Sequence, residues 1–225
     1  MLDSDDYWHK DFLATQVRAL AEDPAADAVY SNAFLIDDPN AVGKTYMDIF
    51  PSNGEVTFLS LVNRTCNVIG AGVTMRRSIL ERAGLYDPEL RRAEDFDLWL
   101  RMVKLGGRII YHRRPIYYVR ARQDSLTRHS IEMLTGVLRV LEKNAKLFTM
   151  SGAEQAALDR ARKHITAELQ LHRGKKAFIE GDVPSAIRDI SLANEYQRRW
   201  KLGFVLALMK TAPGLLRLLA LISSR

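Results

Sequence analysis

One cysteine, Cys66, in 225 residues leaves no partner for an internal disulfide and no cysteine set for zinc. A lone thiol of this kind suits a reducing compartment. Positive charge is missing from the opening: Met1 is followed by Leu2, Asp3, Ser4, Asp5 and Asp6. With no cationic n-region, no secretory signal is expected. Long apolar runs are also lacking. The best candidate, Phe204 to Ile222, carries Lys210 and Arg217 and is interrupted by Pro213-Gly214, which argues against a membrane span. Compositional bias is absent too: 47% hydrophobic and 27% charged residues exclude collagen-like, low-complexity and wholly disordered chains.

The charge that is present is unevenly placed. Met1 to Arg128 holds 17 Lys+Arg against 18 Asp+Glu, whereas His129 to Arg225 holds 16 against 9. The second part therefore carries the whole net charge of +6, and a basic tail points to an anionic contact such as a membrane surface or nucleic acid. Its basic residues follow helical patterns with few interleaved aromatics, so nucleic acid is not expected as a partner.

The first 128 residues alternate helical and extended patterns. Asp11 to Glu22 has apolar residues at Phe12, Leu13, Val17 and Leu20, a helical spacing closed by Pro24. Ala28 to Ile36 reads as a strand, stopped by the turn cluster Asp37-Asp38-Pro39-Asn40. A looser stretch follows, then a short helix from Thr57 to Val62. Cys66 to Met75 reads as one buried strand in which Gly70 and Gly72 permit close approach. Arg77 to Ala83 is a short helix with Gly84 just past its end. Glu94 to Leu105 is a stronger helix, ended by Gly106-Gly107. Ile109 to Tyr111 and Pro115 to Val119 read as two further strands. Such alternation indicates an α/β domain.

Beyond Arg128 only helical patterns remain: Ile131 to Phe148, Glu154 to Phe178, Pro184 to Tyr196 and Trp200 to Ile222. The third has Asp182 as its cap and Pro184 in its first turn. Gly174, Ala186, Ile190 and Ala193 sit at offsets similar to one tetratricopeptide-like hairpin, but a single match does not make a repeat array, and an ordinary helical hairpin is the better reading. The last segment suits either a cationic amphipathic helix in a membrane interface or a helix docked on that hairpin.

Two acidic segments can carry chemistry. In an extended Asp3-Ser4-Asp5, both carboxylates point to one side, and a hard divalent cation relieves their repulsion while recruiting phosphate oxygens. An acidic surface turn explains them as well. In Glu94-Asp95-Phe96-Asp97-Leu98-Trp99-Leu100-Arg101, the acids open a helix, where the macrodipole favours them without any catalytic need. Asp97 reads as a first-turn or capping acid. A carboxylate at such a helix start can also accept a proton from a sugar hydroxyl.

Together these segments resemble the family-two glycosyltransferases, inverting enzymes of the GT-A fold. The matching pieces are Asp3-Ser4-Asp5-Asp6-Tyr7-Trp8, Gly70 to Leu80, Gly84-Leu85-Tyr86-Asp87, Glu94 to Arg101, and Arg120 with Ser125-Leu126-Thr127-Arg128. The resemblance implies a partial GT-A, Rossmann-like α/β sheet with flanking helices over 1–128, followed by an all-helical region over 129–225. It implies a nucleotide-sugar donor, a glycan, lipid or protein acceptor, and a divalent cation, Mg²⁺ or Mn²⁺. Asp5 and Asp3 would hold the metal and donor, with Arg120 and Arg122 on the diphosphate. Asp95 would be the general base and Glu94 would position acceptor or base. Trp99 would pack the helix.

Many relatives place a histidine where this chain has Arg122, and an arginine pairs with phosphate rather than with a cation. Relatives also carry about ninety residues of nucleotide-binding strands ahead of the D-x-D segment, so the chain is expected to be the later part of such an enzyme. The expected location is cytoplasmic, peripheral on the inner membrane face. Two other readings stand beside this one: an inactive remnant serving as a helical membrane- or partner-binding module, and a nucleotidyltransferase using paired aspartates.

Overall fold

The computed structural model describes residue 2 and residues 5–37, 41–120 and 128–211, with backbone alone at 128–130. Two compact units emerge. One comprises Met1–Asp124 with Arg139–Leu158, the other Ser125–Leu138 with Asp159–Arg225.

The first unit is built on a mixed four-stranded sheet ordered β1-β4-β2-β3. The central strand β2 (Ala28–Ile36) is buried from Ala28 to Ala33 on both faces, as expected of a strand covered on two sides. It runs parallel to β4 (Ile109–Arg120) and antiparallel to β3 (Val73–Met75), while β1 (Tyr7–Trp8) pairs antiparallel with the outer side of β4. The α/β architecture and the helical region after it are those the sequence implied.

Two strand expectations need correction. The residues from Ile109 to Arg120 form one strand rather than two. Ser31 pairs with His112 and Asn32 with Pro115, so Arg113 and Arg114 bulge without losing the strand. Asn32 supports the bulge, because its Nδ2 donates to Arg113 O at 3.1 Å and to Thr45 Oγ1 at 2.9 Å. Its Oδ1 accepts the Ala33 and Met47 N–H groups. The second correction concerns Cys66 to Met75, where only Val73–Met75 is strand and Gly70–Gly72 forms a 3₁₀ turn. Close approach is the reason for glycine there: a Cβ on Gly72 would lie 2.6 Å from the Tyr117 ring.

Helix α1 (Phe12–Glu22) lays Phe12, Gln16 and Leu20 inward, one residue per turn, and Gln16 Nε2 donates to Gly72 O at 2.7 Å. A short helix α2 (Tyr46–Ile49), not foreseen in the looser stretch, is held by Thr45 and Asp48 in a capping box. Helices α3 (Phe58–Val62) and α4 (Arg77–Arg82) precede α5 (Glu94–Lys104), which buries Leu98, Trp99, Leu100 and Met102 at 1% exposure or less. Helix α6 (Arg128–Leu147) and α7 (Gly152–Glu180) follow.

In the second unit, α7 packs with α8 (Val183–Gln197) through Gly174. A Cβ on Gly174 would stand 2.6 Å from Ile190 Cγ1 and 3.1 Å from Ala186 O, which explains the offsets seen in the sequence. Asp182 caps α8 by accepting the Ser185 N–H at 3.1 Å. Helix α9 (Trp200–Thr211) places Met209 in the cluster of Leu171, Ala186, Ile190 and Ala193. Trp200 and Phe204 on the same helix are exposed, so its apolar residues face both inward and outward. The segment from 212 to 222 lies outside the described residues. Among the described residues, no helix is long and apolar enough to cross a membrane.

Candidate active site

The first acidic segment is positioned by strand pairing. Tyr7 and Trp8 pair with Tyr118 and Tyr117 of β4, and Asp6, just ahead, accepts the Arg120 N–H on Oδ1 at 3.0 Å. Trp8 fixes the other side of the segment. Its ring stacks on Phe12 at 4.4 Å, and its Nε1 donates to Ala71 O at 3.0 Å.

The second segment is positioned by a helix start. Ala93, immediately before α5, has φ 60° and ψ 25°, a left-handed conformation that strains any residue with a Cβ. Alanine has no side-chain oxygen to cap the helix. Asp95 meets part of that need, its Oδ1 accepting the Phe96 N–H at 2.7 Å. Glu94, Asp95 and Asp97 all stand in the first turn, where the exposed N–H groups carry partial positive charge.

The two segments meet at the glycine turn. Trp8 holds Ala71, while Gly70 lies against the Asp95 carboxylate. The result is a cavity of about 210 Å³ whose lining includes Asp6, Gly70, Ala71, Tyr86, Glu94 and Asp95. Ile69 and Val119 give it an apolar wall. Three carboxylates in one small space form an acceptor-rich surface suited to hydroxyl donors. Two tyrosines sense this charge. Tyr46 has its pKa pushed up to about 12, by burial first and by Asp95 second. Tyr86 is raised by burial, then by Asp95 and Glu94.

Of the residues singled out in the sequence, Glu94 and Asp95 line this cavity together. Asp6, the third acid of the first segment, shares it with them, whereas the D-x-D spacing points to Asp3 and Asp5. The Asp5 carbonyl accepts Arg120 Nε at 3.4 Å, and the Arg120 guanidinium pairs with Asp37. Asp3 and Arg122 lie outside the described residues. Among the described residues, no group of three His, Cys, Asp or Glu side chains is arranged to hold a metal ion.

Asp97 is more than a first-turn acid. It is wholly buried, and its Oδ2 accepts Arg101 Nε and Lys143 Nζ, each at 2.8 Å. Its Oδ1 accepts Asn144 Nδ2 at 2.9 Å. Arg101 continues to the carbonyls of Ala83 and Leu85. The sequence signal for part of this network was the Asp97–Arg101 spacing of four, which places both on one helix face. Lys143 and Asn144 come from α6 and could not be read locally.

No curated protein matches the chain. Among solved structures, S. aureus TarS 1–349 in complex with UDP-GlcNAc is 17% identical, with a TM-score of 0.48 over 84% of this chain and 54% of that one. S. aureus TarS 1–349 is 16% identical, with a TM-score of 0.47 over 85% and 53%. S. aureus TarS gives 16% and 0.46 over 96% and 38%. The chain spans about half the length of the first two of these. The model of the family described as "Glycosyltransferase like family 2" matches residues 1–128. That is more than half of the chain, it includes both acidic segments and the turn that joins them, and the chain belongs to glycosyltransferase-like family 2.

Proposed function

We propose that the chain is part of a glycosyltransferase that moves a sugar from a nucleotide-sugar donor to an acceptor hydroxyl, with inversion, in cell-surface glycan or polysaccharide synthesis. The observation that carries this reading is the shared cavity of Asp6, Glu94 and Asp95 in a chain of this family. Asp95 is the general base. The α5 N-terminus and the Phe96 N–H hold its carboxylate, and Gly70 leaves room beside Oδ2. It takes the proton as the acceptor oxygen bonds to the anomeric carbon and the bond to the diphosphate breaks on the opposite face. Glu94 orients the acceptor as a second hydroxyl-binding carboxylate.

Asp5 and Arg120, with Asp3 and Arg122, are assigned to the donor diphosphate. A divalent cation on Asp5 and Asp3 would offset the leaving charge, and its basis is the D-x-D spacing alone. The protein is placed in the cytoplasm, on the inner membrane face through the segment from Trp200 onward.

The test uses UDP-GlcNAc, the ligand of one TarS structure, with Mn²⁺ in calorimetric titration and in transfer assays. Asp95→Asn should lower turnover by about 10²- to 10⁴-fold and leave donor affinity nearly unchanged. Turnover equal to wild type would remove the base assignment. A complete lack of saturable heat in the wild type would favour a non-catalytic binding module.

A further inference from the structure

Among the described residues, Tyr86 is the one aromatic on the cavity's lining, and proton transfer to Asp95 gives it no task. It borders the same space as Glu94 and Asp95, and both charges act on its phenol, which stays protonated beyond neutral pH. It therefore adds an O–H donor to a cavity whose carboxylates only accept.

Its backbone is held from both sides. Gly84 and Leu85 lie at φ +81° and +64°, and a residue with a Cβ is strained at such angles. Arg101 Nη2 donates to Leu85 O at 2.7 Å, and Lys143 Nζ donates to Asp87 Oδ2 at 2.7 Å. Arg101 and Lys143 both converge on the buried Asp97, two residues after Asp95 on α5. One carboxylate thus ties the residues on either side of Tyr86 to the helix that carries Asp95.

An arrangement of two carboxylates and one phenol complements a vicinal diol. One hydroxyl donates to Asp95, its neighbour donates to Glu94, and that neighbour's lone pair accepts from Tyr86. A simple alcohol fills only the first position. We propose that Tyr86 positions the acceptor and selects a vicinal diol, as in a sugar or polyol, with Asp97, Arg101 and Lys143 setting its distance from Asp95. This rests on the transferase reading of the site.

Tyr86→Phe removes only the oxygen, so the melting temperature should hold. With UDP-GlcNAc as donor, methyl β-glucopyranoside serves as the diol acceptor and cyclohexanol as the simple alcohol. The substitution should raise KM for the glycoside about three- to tenfold, leaving KM for UDP-GlcNAc and kcat/KM for cyclohexanol unchanged. Lys143→Gln should act in the same direction and Lys143→Arg should restore the wild-type value. An unchanged glycoside KM, or an equal loss with cyclohexanol, overturns the proposal while leaving the base assignment intact. If the wild type transfers to neither acceptor and Asp95→Asn changes nothing, the site reading falls and takes this proposal with it.

Discussion

Gly70 and Asp95 touch so closely that a Cβ on the glycine would stand 3.2 Å from Asp95 Oδ2. Gly70→Ala therefore pushes on the carboxylate rather than on the core. Transfer should fall about tenfold through misplacement of the base, while the melting temperature changes little. Paired kinetic and thermal measurements check this; equal losses in both would mean that the glycine serves folding alone.

Asp97, unlike Glu94 and Asp95 in the same turn of α5, is fully buried, and it pairs with both Arg101 and Lys143. Asp97→Ala leaves Arg101 as an unpaired cation in a buried site, so stability should drop by about 3–5 kcal/mol in urea titrations. A loss below about 1 kcal/mol would show that Arg101 and Lys143 find other partners.

The Lys143–Asp87 contact makes stability depend on acid pH. Lys143 donates to the Asp87 carboxylate and lowers its pKa from the ordinary 3.8, helped by the Glu89 N–H. A folded-state pKa below the unfolded one stabilises the protein fully above about pH 4 and loses that contribution as pH falls through the folded value. Lys143→Met should therefore cost more stability at pH 7 than at pH 2–3. Urea unfolding of both proteins at the two pH values measures the gap, which should narrow on acidification.

Trp200 and Phe204 are 77% and 61% exposed, with Lys201 between them. An aromatic pair beside positive charge suits an anionic bilayer surface. The chain should co-sediment with phosphatidylserine-containing vesicles at low ionic strength and dissociate as salt rises. Replacing both aromatics by alanine should weaken this binding. Failure to sediment at low salt would leave α9 as a helix that only packs on its neighbours.

Periodicity made most of the helices legible, because each has one face to bury: Phe12, Gln16 and Leu20 on α1, and Leu98 and Met102 on α5. Strand β2 was readable from its apolar run and the turn residues after it. Where distant partners decide, local pattern failed. The Gly70-Ala71-Gly72 turn looks extended until Tyr117 and Asp95 are brought against it, and β4 looks like two strands until Asn32 bridges its bulge. Glu94 and Asp95 were visible as a pair at a helix start. Their nearness to Asp6 depends on the β1–β4 pairing, and the flanking position of Tyr46 depends on a short helix held by Thr45 and Asp48. Asp97 looked like an ordinary first-turn acid because Lys143 and Asn144 reach it from another helix.

The parallel alignment of β2 with β4 also governs the order of events during synthesis. Residues Ala28–Ile36 leave the ribosome long before their partners Ile109–Arg120, and β3 covers only Ala28 to Tyr30 on the other side. For that interval the nascent chain shows an apolar strand with open hydrogen-bonding edges, a surface prone to association with other chains. Pairing of such sequence separation closes slowly. Recovery of soluble protein should thus be governed by how well this early strand is shielded until the last residues of the sheet emerge.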